Sequence, residues 1–347
     1  MFALPVLLLT ATVAPLHAAV APADAAAILQ IEAHRLPPRA LAPFVEHPDA
    51  DTRARAARAL GRLRDPAALA GLRPLLEDPD PRVRIEAAFA LGQTPGGASP
   101  ARVRFPDEPD ARVRARLAEA LGKQGDAEVV PTLLAALHEE GELLRPSPVP
   151  AAAAVALGRL AMRDVRTADD PAVISALLRC LHRLDRPTRR GAAFALARSR
   201  ATSIRPPDRD RLLRAAGEDW DPVVRARLVR AATNLDIPDP LRFEVLDRAA
   251  RDVEPPVRVA AARAAAGANW AGVQALLDDP DVGVRREAIA AVVEVEELDA
   301  GALLQPFIDA GADLDAAEAA RTSGDPALVL AADAIAALAS HDRLPDP

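Results

Sequence analysis

The 347-residue chain has no tyrosine, one cysteine, two methionines and two tryptophans, and aromatic residues make up 3% of it. Without aromatic faces there is no stacking platform for sugars or single-stranded nucleic acid. With Cys180 alone, no intrachain disulfide and no thiolate zinc site can be built. Cys180 stands three and seven residues after Leu177 and Val173, on one helical face, which predicts a small core residue. The six histidines are scattered singly, and none falls in an H-E-x-x-H spacing. There is no Walker loop, no G-x-G-x-x-G after a strand and no G-x-S-x-G. The net charge of −7 supplies no overall cationic footprint for a duplex. These absences predict a protein that is not an enzyme, takes no cofactor or metal and binds no nucleic acid. Lysine is almost missing as well. Lys123 is the one lysine among 43 basic residues, a bias that we read as GC-rich coding rather than as selection for arginine chemistry.

Long apolar runs are also missing, apart from one near the start. Phe2 to Ala14 is apolar and uncharged, at about 13 residues too short to span a bilayer and suited to the apolar region of a signal peptide. Small residues follow at Ala18, Ala19 and Ala21. The expectation is a signal peptide over residues 1–21 and a periplasmic or secreted mature chain, with no stable membrane insertion. If the segment is retained, it becomes an apolar helix on a cytoplasmic protein.

What is abundant is repetition. EHPDADTRARAARALGR (46–62), EDPDPRVRIEAAFALGQ (77–93) and DEPDARVRARLAEALGK (107–123) share one pattern. Its arginine recurs at Arg53, Arg84, Arg114, Arg189, Arg225, Arg258 and Arg285, and two degenerate units place Pro150 and Val329 there. That makes about nine units, a period that signals a solenoid, propeller or array. Each unit reads as two helices with no strand pattern. First helices are predicted at Pro66–Glu77, Glu128–Leu137, Pro171–Leu181 and Leu241–Ala250. In the second helix of the 77–93 unit, Asp80 suits the N-cap and Pro81 the first helical position. Val83, Ala87, Ala90 and Leu91 form one stripe. Gly92, and Gly61, Gly122 and Gly158 at the same place, are expected to end their helices in the left-handed conformation.

Acidic residues recur in register too. Asp49, Asp80, Asp110, Asp185, Asp221, Glu254 and Asp281 stand four residues before the arginine. Asp78, Glu108, Asp219, Asp252 and Asp279 stand six before it. A catalytic carboxylate pair normally occurs once, so this recurrence predicts structure: one acid caps the helix, the other meets an arginine fork from its own or the adjacent repeat.

The pattern P-D-x-x-V-R-x-x-A-x-x-A-L-G resembles the HEAT repeat superfamily, and most closely its short units, first recognised in phycobilin lyases. The resemblance covers roughly residues 37–340. It implies an all-α fold, a right-handed α-solenoid of about nine helix pairs, with capping helices over residues 22–45 and 315–340 of a 22–347 array. It also implies an Asp–Arg ladder between neighbours and second helices lining a concave surface. Fold does not carry function. The function expected is therefore a non-catalytic protein-interaction scaffold of the bacterial cell envelope, with a protein partner held on the concave face and loops. The alternative is an accessory subunit of an enzyme complex, associated with chromophore handling or a peptidyl-prolyl isomerase.

The repetition fails near residues 94–106, where a loop or a short broken helix is expected, and near 162–170 and 199–209, where loops are expected. From Arg179 to Arg214 there are eleven arginines and three acidic residues. Arg190, Arg198, Arg200, Arg205 and Arg209 are the candidate contacts for an anionic partner. Trp220 and Trp270 are expected to pack between repeats.

Overall fold

The computed structural model describes residues 20–141, 145–201, 204–310 and 326–340, so the apolar residues 1–19 lie outside it. Among the described residues there are helices and no strand. Two compact units divide the chain, Met1–Pro100 and Ala101–Pro347.

In the first unit, α1 (Pro22–Ala33), a 3-10 turn (Pro38–Leu41) and α2 (Ala42–Val45) precede α3 (Ala50–Leu63), α4 (Ala68–Leu75) and α5 (Pro81–Leu91). The two second helices, α3 and α5, pack side by side, and α4 packs on both. Leu41, Leu60, Leu72, Leu75 and Leu91 are buried between the layers. α6 (Ala98–Arg104) follows, so the 94–106 stretch contains a short helix.

The second unit continues with α7 (Ala111–Gln124), α8 (Val130–Ala136), α9 (Val149–Ala161), α10 (Pro171–Cys180), α11 (Arg186–Leu196) and α12 (Pro206–Glu218). Then come α13 (Pro222–Asn234), α14 (Asp239–Ala250), α15 (Pro255–Ala268), α16 (Val282–Val292), α17 (Ala300–Ala310) and α18 (Pro326–Ser340). Second helices α7, α9, α11, α13, α15, α16 and α18 each pack on the next, and first helices α10, α12 and α14 form the other layer. This sequential two-layer packing is an all-α solenoid. The first helices fall where the sequence predicts them. The 199–209 stretch differs, because residues 206–209 already belong to α12, opened by Pro206 and Pro207. Only α18 of the predicted C-terminal cap lies within the described residues. No described helix is long and apolar enough to cross a membrane.

α5 shows why these residues fold as they do. Asp80 accepts from the Arg82 amide at 2.8 Å, Pro81 sits at the first position, and Val83, Ala87, Ala90 and Leu91 are buried. The second helices α3, α7, α11, α13 and α16 repeat this Asp cap, whereas α9, preceded by Pro148, and α15 do not. Glu254 makes no side-chain cap bond, since its extra methylene does not suit the short loop that Asp closes.

The glycines play a different role from the one expected. Gly92 is right-handed (φ −67°), and Gly61 and Gly122 lie inside α3 and α7. A Cβ on Gly61 would lie 2.7 Å from Ala90 Cα, and one on Gly122 2.5 Å from Ala156 Cα. Glycine is needed there because the next second helix approaches to backbone contact. The left-handed helix ends belong to Arg64 and Asn269 instead.

Candidate functional site

Arg53, Arg114, Arg189, Arg225 and Arg258 form rungs to an acid of the next repeat. Arg53 donates from Nε to Asp78 Oδ2 at 2.6 Å and from Nη2 to Oδ1 at 3.0 Å. Its Nη1 meanwhile holds the carbonyls of His47 and Pro48, in its own turn. Arg225 grips Asp252 at 2.7 and 2.8 Å, and Arg258 grips Asp279 at 2.7 and 2.9 Å. Arg189 reaches Asp219 at 3.0 Å. Arg84 and Arg285 likewise hold the backbone carbonyls of Asp78 and Asp279. Each acceptor is oriented in turn by a backbone amide two residues on, as Asp221 N to Asp219 at 2.8 Å. Where Pro150 replaces the arginine, the following repeat has Arg183 in place of the acid. Arg114, in the repeat before, finds Glu139 of the Pro150 repeat at 3.2 and 2.9 Å.

These forks keep the carboxylates ionised. Burial alone favours protonated Asp252 and Asp279, but Arg225 and Arg258 more than offset it and hold both below the ordinary range. Asp110, bonded to the Arg112 side chain and capping α7, is lowered to about 2. Such groups are committed to structure.

A second register lies two and five residues beyond the ladder arginine. In the first unit Arg58 pairs with Glu86 at 2.9 Å, joining the +5 position of one repeat to the +2 position of the next. Arg263 and Glu287 repeat the pairing between α15 and α16. Between these, the pattern breaks. Arg230 occupies +5, but the next +2 position is Ala260, and Arg227 stands at +2 where an acid would be. Arg227 faces Phe194 across α11 instead, 5.7 Å from the ring centroid, and Arg198 lies 4.2 Å over the same ring.

The result is a groove of about 680 Å³ along α11, α13 and α15, with apolar walls that include Val223 and Val259. Arg198, Arg227 and Arg230 line it with no carboxylate bonded to them among the described residues. Asp221, the acid nearest Arg227, is taken by Arg186 and Arg190 at 2.8 and 2.5 Å. Burial first, then repulsion from Arg230 and Arg227, lowers the pKa of Arg198. Burial and Arg190 do the same to Arg227. The corresponding groove of the first unit, about 290 Å³, holds Arg58 and Arg62 paired with Glu86 and Glu32.

The structure does not bring the five predicted contact residues together. Of its five residues only Arg198 lines this groove. Arg190 is spent on Asp221, and Arg205 bonds Asp208 within α12, in the other layer. Arg209 has a buried Nε with no partner in the structure, and Arg200 lies outside, 3.7 Å from Asp164. Arg227 and Arg230, which line the groove beside Arg198, carry one signal in the sequence, the missing acid at +2. The tryptophans also divide. Trp270 is 5% exposed and bonds Asp247 at 3.1 Å, whereas Trp220 is 72% exposed, with Arg189 4.9 Å from its ring centroid. No group of residues able to hold a metal ion occurs among the described residues.

Two layers of helices tied by an arginine ladder, with a groove along the second layer, define a helical repeat scaffold. Residues 38–105 and 100–197 match the family model for HEAT repeats. The solved structure of Escherichia coli YibA matches with a TM-score of 0.54 at 16% identity, over 80% of this chain and 98% of that one, which shows a common fold. Human deoxyhypusine hydroxylase, solved in complex with glycerol, is 22% identical over 80% of this chain and 98% of that one, with a TM-score of 0.32. No curated protein matches.

Proposed function

We propose that this protein is a non-catalytic interaction scaffold of the bacterial cell envelope that holds a protein partner along α11, α13 and α15. The observation that carries the reading is the break in the second register, which leaves Arg198, Arg227 and Arg230 facing a groove without carboxylate partners. In the first unit the corresponding groove pairs Arg58 and Arg62 with Glu86 and Glu32, whereas three neighbouring cations without such acids add no stability and are better explained by something that binds there. Commitment of the recurrent carboxylates to caps and rungs supports a non-catalytic role. Export rests on the apolar stretch from Phe2 to Ala14.

Fractionation with N-terminal sequencing tests the location; a full-length cytoplasmic chain would contradict export. A photo-crosslinking amino acid at Thr233, on the groove wall, tests the surface in living cells. A discrete crosslinked protein is expected from Thr233 and not from the same probe at Arg73 on α4. Absence of a crosslink from Thr233 would overturn the binding face.

A further inference from the structure

The turn between the two helices of each repeat has a fixed register as well. Five residues before the ladder arginine stand Pro48, Pro79, Pro109 and Pro280 in four repeats. Proline suits this turn, because its φ is already set and its missing amide costs nothing in a loop. In three consecutive repeats the position holds Leu184, Trp220 and Val253 instead. All three are open to solvent, at 72%, 72% and 85% exposure. Single exposed apolar residues need no explanation. Three at one register, on adjacent repeats, form a row.

That row belongs to the repeats that form the unpaired groove. Leu184, Trp220 and Val253 immediately precede α11, α13 and α15. Val223 and Pro256 on the groove wall follow Trp220 and Val253 by three residues, across the N-caps Asp221 and Glu254. Packed helices lie roughly 8–10 Å apart, so the row spans about 20 Å. An extended chain rises about 3.3 Å per residue, so about six residues cover it. Arg189 covers one face of the Trp220 ring and leaves the rest of it open.

We propose that the partner reads onto this surface through an acidic segment, its carboxylates on Arg198, Arg227 and Arg230 and its apolar side chains on Leu184, Trp220 and Val253. This deepens the scaffold reading above and rests on it. Charge complementarity selects an anionic occupant, since the groove carries three cations without carboxylates of their own. The apolar row selects a protein segment over a bare polyanion, which would leave Leu184, Trp220 and Val253 uncovered. The chain's own charge of −7 opposes a long nucleic acid in the same way.

The test uses the full chain and a fluorescein-labelled 16-residue peptide of Glu-Leu-Gly-Glu repeats, read by anisotropy. Two control peptides replace every Glu with Gln, or every Leu with Ser, and a 20-nucleotide single-stranded DNA is the fourth probe. The acidic apolar peptide is expected to bind most tightly and to weaken with added salt. Arg198→Gln combined with Arg230→Gln should weaken it about tenfold, which is about 1.4 kcal/mol. Trp220→Ala should weaken it several-fold, and Arg200→Gln should not change it. Melting of each variant is measured alongside, and an unchanged midpoint confirms that folding is intact. Equal binding of the Gln peptide, preference for the DNA, or no effect of the double substitution would overturn the proposal. So would absence of binding by the acidic peptide. If Thr233 still crosslinks a partner in that case, the scaffold reading survives and only the acidic recognition fails.

Discussion

Arg189 and Asp219 meet at 3.0 Å with their side chains 4% and 5% exposed, making a rung between consecutive repeats that water scarcely reaches. The same guanidinium holds the carbonyls of Arg183 and Leu184 at 3.1 and 2.9 Å and covers Trp220. Arg189→Ala strands Asp219 and two carbonyls at once. Removing one member of a buried pair costs about 3–5 kcal/mol. Thermal or urea unfolding is expected to show that loss for Arg189→Ala, while the exposed Arg200→Ala stays within about 0.5 kcal/mol. An unchanged midpoint for Arg189→Ala would refute a structural rung.

Gly122→Ala tests the close approach of second helices. The added methyl meets Ala156 backbone at 2.5 Å, so α7 and α9 must move apart. A loss of about 1–3 kcal/mol is expected, even though alanine favours the helix by roughly 1 kcal/mol. Stabilisation by this substitution would instead support a simple helix-propensity effect. Gly267 is the matched control, because nothing lies within 4 Å of a Cβ there.

Glu254→Asp should stabilise the chain. Glu254 stands at the N-cap of α15 without a cap bond, whereas Asp221 and Asp281 at the same register bond the amides of Val223 and Gly283 at 3.1 and 2.8 Å. A gain of up to about 1 kcal/mol is expected in denaturant midpoints. Glu254→Ala should produce no such gain.

Acid should dissolve the ladder in a defined window. Asp110 is held at about 2 by Arg112, and Asp252 and Asp279 are lowered by their arginine forks against the opposing effect of burial. Folded, these groups bind fewer protons than the unfolded chain, whose aspartates titrate near about 3.9. Their contribution is complete above that value and is lost as pH falls through the lowered folded values. Urea midpoints are expected to hold steady from pH 7 to about 5 and to fall steeply below about 4. Asp252→Asn should be less stable at neutral pH and lose less on acidification; an identical acid slope would contradict the assignment.

Cys180 should be inert while the chain is folded. It is 4% exposed in α10, and burial pushes its thiol up to about 11. A maleimide or dithionitrobenzoate reagent is expected to label it only after unfolding, and fast labelling of the native protein would show that α10 opens.

Much of the architecture was legible because the repeat states the same instruction several times. Asp80, Pro81 and the stripe from Val83 to Leu91 are local signals, and their helix forms where they place it. The candidate site was harder to see. A run of arginines between Arg179 and Arg214 drew notice to charge density, but density ignores which helix layer a residue occupies. Arg205 and Arg209 fall on the first-helix layer, and Arg190 finds Asp221 thirty-one residues away. Arg227 and Arg230 look ordinary in sequence, and they matter only because Glu86 and Glu287 have no counterpart opposite them.

By itself, the sequence determined the period, the helix starts and the identity of the acids and arginines that would pair. Those features depend on spacing within one or two turns of chain, where local capping and periodicity act. Tertiary structure decided the rest. It sent the forks of Arg53, Arg114, Arg189, Arg225 and Arg258 to the following repeat, turned the expected helix-ending glycines Gly61 and Gly122 into close-contact points, and separated Trp220 from Trp270. It also left three arginines along one groove without acids. Each of those outcomes depends on the distance between neighbouring repeats, which is set by how closely second helices such as α7 and α9 pack at Gly122 and Ala156.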